Sequence, residues 1–179
     1  QALNDTIDQK TQLQLTTAGG PRTVAVKPVS SAAAGNLLYD AWVEHNREMV
    51  DKLSGGKLGY VHMADMSQGA LDKLYMDLNS TAFGREGVVV DVRNNNGGFV
   101  NAYALDVLTR KPYLTMIPRG FPKGPARVAL GQRALEKPTV LLTNQNTLSD
   151  GEDFTEGYEA MRLGQVVGAP AGDDQGTSE

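Results

Sequence analysis

A hydroxyl and three carboxylates crowd one short stretch of the chain, SDGED at residues 149–153, a few residues after the apolar run TVLL at 139–142. A serine on the turn between a strand and a helix is the arrangement that presents a nucleophilic hydroxyl to a carbonyl. Acyl transfer also needs N–H donors aimed at the oxyanion that forms. A second stretch, NNNGG at 94–98, ends in glycines that let backbone N–H groups come close to a ligand. Both stretches follow apolar runs that read as strands. In α/β sheets, functional groups gather at the carboxyl ends of the strands, where helix N-termini offer free donors.

Each feature also has a plainer reading. Ser149 with Glu152 three residues later makes a capping box, which needs no catalysis; taken alone, it is the better explanation of that serine. The asparagine–glycine run, taken alone, is more often just a turn. Asp91 and Arg93, two apart on a strand, point to one face and can simply pair. His62 in a strand and His45 on a helix flank read as packing or surface residues before they read as bases.

The elements that must position these groups follow from periodicity and turn chemistry. Residues 11–29 read as a hairpin, with Leu13 and Leu15 alternating on one arm, Val24 and Val26 on the other, and the turn at 18–21. A lone hairpin is marginal in water, so this one is expected to belong to a larger domain. Residues 30–35 read as a linker, and a helix follows over 36–53 with Leu38, Trp42, Met49 and Leu53 near one stripe, stopped by Gly55-Gly56. From Lys57 strands and helices alternate. Strands are expected at 57–63, 87–91, 113–117, 139–143 and 165–168. Helices are expected after a Ser67 cap with Leu71, Leu74 and Leu78 inward, through Ala104, Leu105 and Leu108, and over 150–163, with 118–138 mostly loop. This is an α/β pattern with a largely parallel sheet.

Composition narrows the function. The chain has 179 residues, 40% of them hydrophobic, enough for a real core in one domain with a fragment attached. A net charge of −4 without a basic run argues against nucleic acid. No segment approaches the ~18 consecutive apolar residues of a membrane span. With no cysteine, disulfides and thiolate chemistry are excluded, and two histidines without an adjacent ligand pattern make a weak metal site, so no metal is expected; no cofactor is expected either. The first residues show no signal peptide, but a start on Gln reads as an excision from a longer protein, so periplasm, export and cytoplasm all stay open.

Five segments in order, GYVHMADM (59–66), VVVDVRNNNGG (88–98), TVLLTN (139–144), SDGEDF (149–154) and GQVVG (164–168), make the chain resemble the serine peptidases of the tail-specific and tricorn group. The resemblance implies a ClpP- or crotonase-like α/β core preceded by a PDZ domain. Residues 1–29 would then be the trailing edge of that PDZ domain, 30–56 the linking helix, and 57–179 the peptidase core, incomplete at its end. By position, Ser149 matches the nucleophile and the N–H of Asp150 one oxyanion donor. The pair Gly97-Gly98 matches the loop giving the other donor, with the choice between them open. The tail-specific branch uses a lysine base after the last strand, but no lysine follows Lys137, and the acidic stretch after Ser149 is closer to the tricorn type. That type takes a histidine from before the PDZ domain and a glutamate from well after the serine. The tail DDQGTSE at 173–179 departs from the family pattern, where more apolar sequence is expected.

The expected activity is therefore endopeptidase cleavage of unfolded proteins or oligopeptides through an acyl-enzyme at Ser149, with this stretch alone inactive because its base lies elsewhere. Two alternatives remain at this level: a crotonase-type enzyme acting on an acyl thioester, and a non-catalytic peptide-binding module. A homo-oligomer is compatible with either class.

Overall fold

The structure is a computed structural model that describes residues 3, 5–125 and 135–172. The expected tail at 173–179 and part of the expected loop at 118–138 lie outside the described residues. The chain separates into two compact units, Gln1–His45 and Asn46–Glu179.

The first unit holds the hairpin, β1 (Thr11–Thr17) against β2 (Gly20–Val26), antiparallel from Thr11↔Val26 to Thr17↔Gly20. The turn is the two residues 18–19, shorter than the 18–21 expected, because Gly20 and Pro21 already belong to β2. In a two-stranded sheet both strands are edges, so a proline without an N–H is tolerated there. Helix α1 (Ser31–Ser54) starts five residues earlier than the sequence suggested. Ser30 caps it, its Oγ accepting from the Ala33 N–H at 3.1 Å, and the alanines at 32–34 are the best helix formers. The expected linker at 30–35 is thus mostly helix. The apolar stripe stays largely in solvent, with Leu38 73% and Leu53 80% exposed; Val43 is the buried residue of α1.

The second unit carries the sheet. In chain order its further elements are β3 (Leu58–His62), α2 (Gln68–Asn79), β4 (Gly87–Asp91), α3 (Asn101–Thr109), β5 (Thr115–Met116), β6 (Gly124–Pro125), β7 (Thr139–Thr143), α4 (Asp150–Ala160) and β8 (Gly164–Gly168). Strands β3, β4, β7 and β8 lie side by side in that order, all parallel, with His62 opposite Asp91 and Asp91 opposite Leu142. The 113–117 strand shrinks to β5, which pairs antiparallel with β6, and α4 ends three residues early.

Strand β4 is buried along its whole length, as its unbroken Val88-Val89-Val90 run requires of a central parallel strand. Val61, Val88, Val90, Val92 and Leu141 face a core completed by Leu71, Leu74 and Leu78 of α2, Ala104 and Leu105 of α3, and Phe154 and Tyr158 of α4. The cap expected at Ser67 is formed, its Oγ accepting from the Ala70 N–H at 3.2 Å. Leu74 is 1% exposed, so truncating it to alanine would cost about 2–5 kcal/mol and loosen the helix that backs β3 and β4. This layer holds the strand ends from which the two candidate loops emerge.

Candidate active site

The turn from β7 into α4 holds its serine in an unusual backbone state. Ser149 has φ 54° and ψ −126°, where a side chain with a Cβ costs of order 1–3 kcal/mol and persists only if the surroundings over-determine it. They do. The Ser149 N–H donates to Glu152 Oε1 at 2.6 Å, and the Ser149 carbonyl takes the N–H of Glu152 at 2.7 Å and that of Asp153 at 3.2 Å. The capping-box pair is therefore present, with the Glu152 carboxylate closing on the Ser149 N–H. The cap and the nucleophile are not competing explanations: the box holds the strained turn, and the residue is exposed.

The loop after β4 lies against this turn. A methyl on Gly97, itself at φ 77°, would sit 2.7 Å from Ser149 Cβ and 3.2 Å from the Asp150 nitrogen, so only glycine allows the approach. The two glycines differ in what their N–H groups do. Gly97 donates to Asn95 Oδ1 at 2.8 Å. Gly98 is the middle residue of a parallel bridge to Met66, in which the Met66 N–H donates to the Gly97 carbonyl at 2.8 Å and the Phe99 N–H to the Met66 carbonyl at 2.9 Å. That geometry turns the N–H of Gly98 away from Met66. Among the described residues neither it nor the N–H of Asp150, the first residue of α4, has an acceptor.

Three side chains tie the two loops together, and the sequence did not single out their roles. The Asp150 carboxylate accepts from the N–H of Val100 at 2.8 Å and of Asn101 at 3.0 Å, and from the Asn101 side chain. It thereby caps α3, whose own N-cap residue Val100 has no side chain able to do so. The acidic first turn of α4 also sits favourably at its helix N-terminus. Thr147 Oγ1 donates to the Val92 carbonyl at 2.8 Å. Asn95 donates from Nδ2 to the Met63 carbonyl at 2.9 Å, and its own carbonyl accepts the Leu148 N–H at 2.9 Å.

The other candidates have ordinary roles. Arg93 closes on Asp91 through Nη2 at 2.6 Å and Nε at 3.0 Å, the pairing that their spacing suggested. The Tyr60 hydroxyl donates to Asp91 at 2.7 Å, and burial, reinforced by the Asp91 charge, pushes its ionisation far up. His62 is buried with Nε2 3.0 Å from the Arg93 carbonyl, and burial holds it below the usual histidine range. His45 is exposed on α1. Among the described residues no histidine or lysine is hydrogen-bonded to Ser149 Oγ, and no group of three histidines or carboxylates converges to hold a metal ion. No helix among them is long and apolar enough to cross a membrane.

A strained serine at a strand–helix turn beside two unpaired backbone donors is the set of parts for acyl transfer. Comparison with known proteins identifies the family. Residues 57–179 match the model of peptidase family S41. The chain is 33% identical over 132 residues to the tricorn protease of Thermoplasma volcanium, which covers 74% of this chain and 12% of that protein. It is 34% identical over 154 residues to a tricorn protease homolog of Saccharolobus solfataricus, 86% of this chain and 14% of that one. The crystal structure of a tricorn protease superposes with a TM-score of 0.77 at 26% identity, over 99% of this chain and 17% of that chain. The chain spans under a fifth of the length of each of these relatives. It belongs to peptidase family S41, the family of the tricorn-type and tail-specific serine peptidases.

Proposed function

We propose that this chain supplies the nucleophile and the oxyanion hole of a tricorn-type serine endopeptidase. Ser149 Oγ attacks the scissile carbonyl, and the N–H groups of Gly98 and Asp150 hold the oxyanion of the tetrahedral intermediate. The observation that carries the reading is the backbone of Ser149, φ 54° and ψ −126°, in a turn packed against Gly97. Gly98 is preferred over Gly97 as donor because the Gly97 N–H is already given to Asn95. The family match favours peptide chemistry over a crotonase-type acyl-thioester reaction.

Substrates are unfolded segments or oligopeptides bound in extended form beside the sheet, where main-chain hydrogen bonds give affinity without demanding one sequence. The hydroxyl proton goes to a base outside these residues, a histidine in the tricorn-type pattern. Residues 1–29 serve as the trailing edge of a PDZ domain, 30–56 as the connecting helix and 57–179 as the core.

Hydrolysis of casein and short peptides tests this reading, using the full-length protein, its Ser149→Ala variant and the isolated 179-residue chain. Turnover should be confined to the unmodified full-length protein. A stable Ser149→Ala protein that keeps most of its activity would refute the nucleophile. Turnover by the isolated chain above its own Ser149→Ala blank would refute the external base.

A further inference from the structure

We infer that Asn95, a residue that touches neither the hydroxyl nor the two free donors, is the positioning residue that sets the oxyanion hole. The inference rests on the reading of Ser149 and Gly98 above. Three asparagines stand in a row, but only the middle one is fully buried. Its amide spans two backbones: Nδ2 donates to the Met63 carbonyl at the end of β3, and Oδ1 accepts the Gly97 N–H. The orientation is fixed by these partners, because a flipped amide would face a carbonyl with an oxygen and an N–H with an amino group. Its main chain adds two more ties, from its own N–H to the Val92 carbonyl at 3.1 Å and from Leu148 to its carbonyl. One residue therefore holds β3, the exit of β4, the glycine loop and the serine turn in a single register.

Taking the Gly97 N–H out of use has a chemical consequence. Were it free, the loop could turn either glycine toward a substrate; with Gly97 engaged and its carbonyl given to Met66, only Gly98 is presented. A separate observation points to the same amide. Gly151 lies in the first turn of α4, where glycine is a poor helix former, and a methyl there would lie 2.9 Å from Asn95 Oδ1 and 3.1 Å from Thr147 Cγ2. The helix tolerates a glycine where the buried amide needs room.

The test uses the full-length protein and the near-isosteric variant Asn95→Asp. An ionised carboxylate still accepts from Gly97 but repels the Met63 carbonyl. A protonated one restores the donor, so the loss is read at pH values where the introduced carboxylate is ionised. Expected is a fall in kcat of about 100-fold, the scale of losing one donor, with KM within about threefold. A new ionisation absent from the unmodified protein should appear in the kcat profile, with activity recovering toward acid relative to it. Labelling of Ser149 by a fluorophosphonate should slow in parallel. Should Asn95→Asp fail to fold, Gly151→Ala carries the test with the same kcat and KM pattern. A folded variant with kcat within threefold of the unmodified protein, or a loss carried by KM, overturns the inference. Failure of the unmodified protein to label at Ser149 would instead overturn the reading beneath it.

Discussion

The loop at 94–98 and the segment at 110–125 have similar ingredients and opposite fates. Each lacks a long regular element, and glycine or proline punctuates both. In the first, Asn95 is fully buried, Asn94 accepts from the side chains of Asn144 at 3.1 Å and Asn146 at 3.2 Å, and its N–H donates to Asn144 Oδ1. In the second, Tyr113, Ile117 and Phe121 are each more than 70% exposed, and the regular pairing is that of the two-residue strands β5 and β6. The first loop is held by side chains that reach backbone groups across the fold. A loop becomes rigid when its N–H and carbonyl groups are accounted for, and catalysis by oriented dipoles needs that rigidity.

Gly98 is the most sensitive position of the first loop. A methyl there would lie 2.1 Å from the Met66 carbonyl oxygen, so Gly98→Val must displace the bridge that turns its N–H outward. The expected result is a loss of kcat of at least ~100-fold. A loss expressed only in KM would mean that the loop binds substrate without stabilising the oxyanion. Next is Asp150→Asn, which removes a charged acceptor from two backbone N–H groups and sets an amino group against that of Asn101. Urea unfolding should show a loss of about 1.5–3 kcal/mol; no loss would mean that α3 is capped in another way.

On the other side of the comparison, Ile117→Ser in the exposed segment should change stability by no more than ~0.5 kcal/mol and leave kcat unchanged. A loss of activity there would make the segment part of the substrate or partner surface. The smallest effect concerns His62. Burial lowers its folded-state ionisation below the unfolded value, so the unfolded chain binds the extra proton first. Its contribution is full above about pH 6.5 and is lost as the pH falls below that value. His62→Gln should flatten the acid side of the stability curve from urea melts at pH 5 to 7.5, and an unchanged slope would assign the titration to another group.

Much of the framework was legible because it rests on local rules. Strands β4 and β7 are continuous β-branched and leucine runs, and α2 announces itself through Ser67 and three leucines on one face. Ser149 and the glycine pair were visible as an order of motifs. The parts that escaped depend on contacts far apart in sequence or on backbone state. Asp150 caps α3 across 49 residues, and a sequence cannot show which of three adjacent asparagines turns inward. The start of α1 was misplaced because its serine and alanines suit a linker as well as a capped helix, and only the Ser30 hydrogen bond decides.

The proposed function requires Ser149 to be an activated nucleophile facing two backbone donors. The most direct measurement is mass spectrometry of the full-length protein after reaction with a fluorophosphonate. A single adduct on Ser149, absent from heat-unfolded protein and slowed by a peptide substrate, is expected. No adduct on Ser149 in a preparation that hydrolyses peptides, or modification at another serine that tracks the loss of activity, would contradict it.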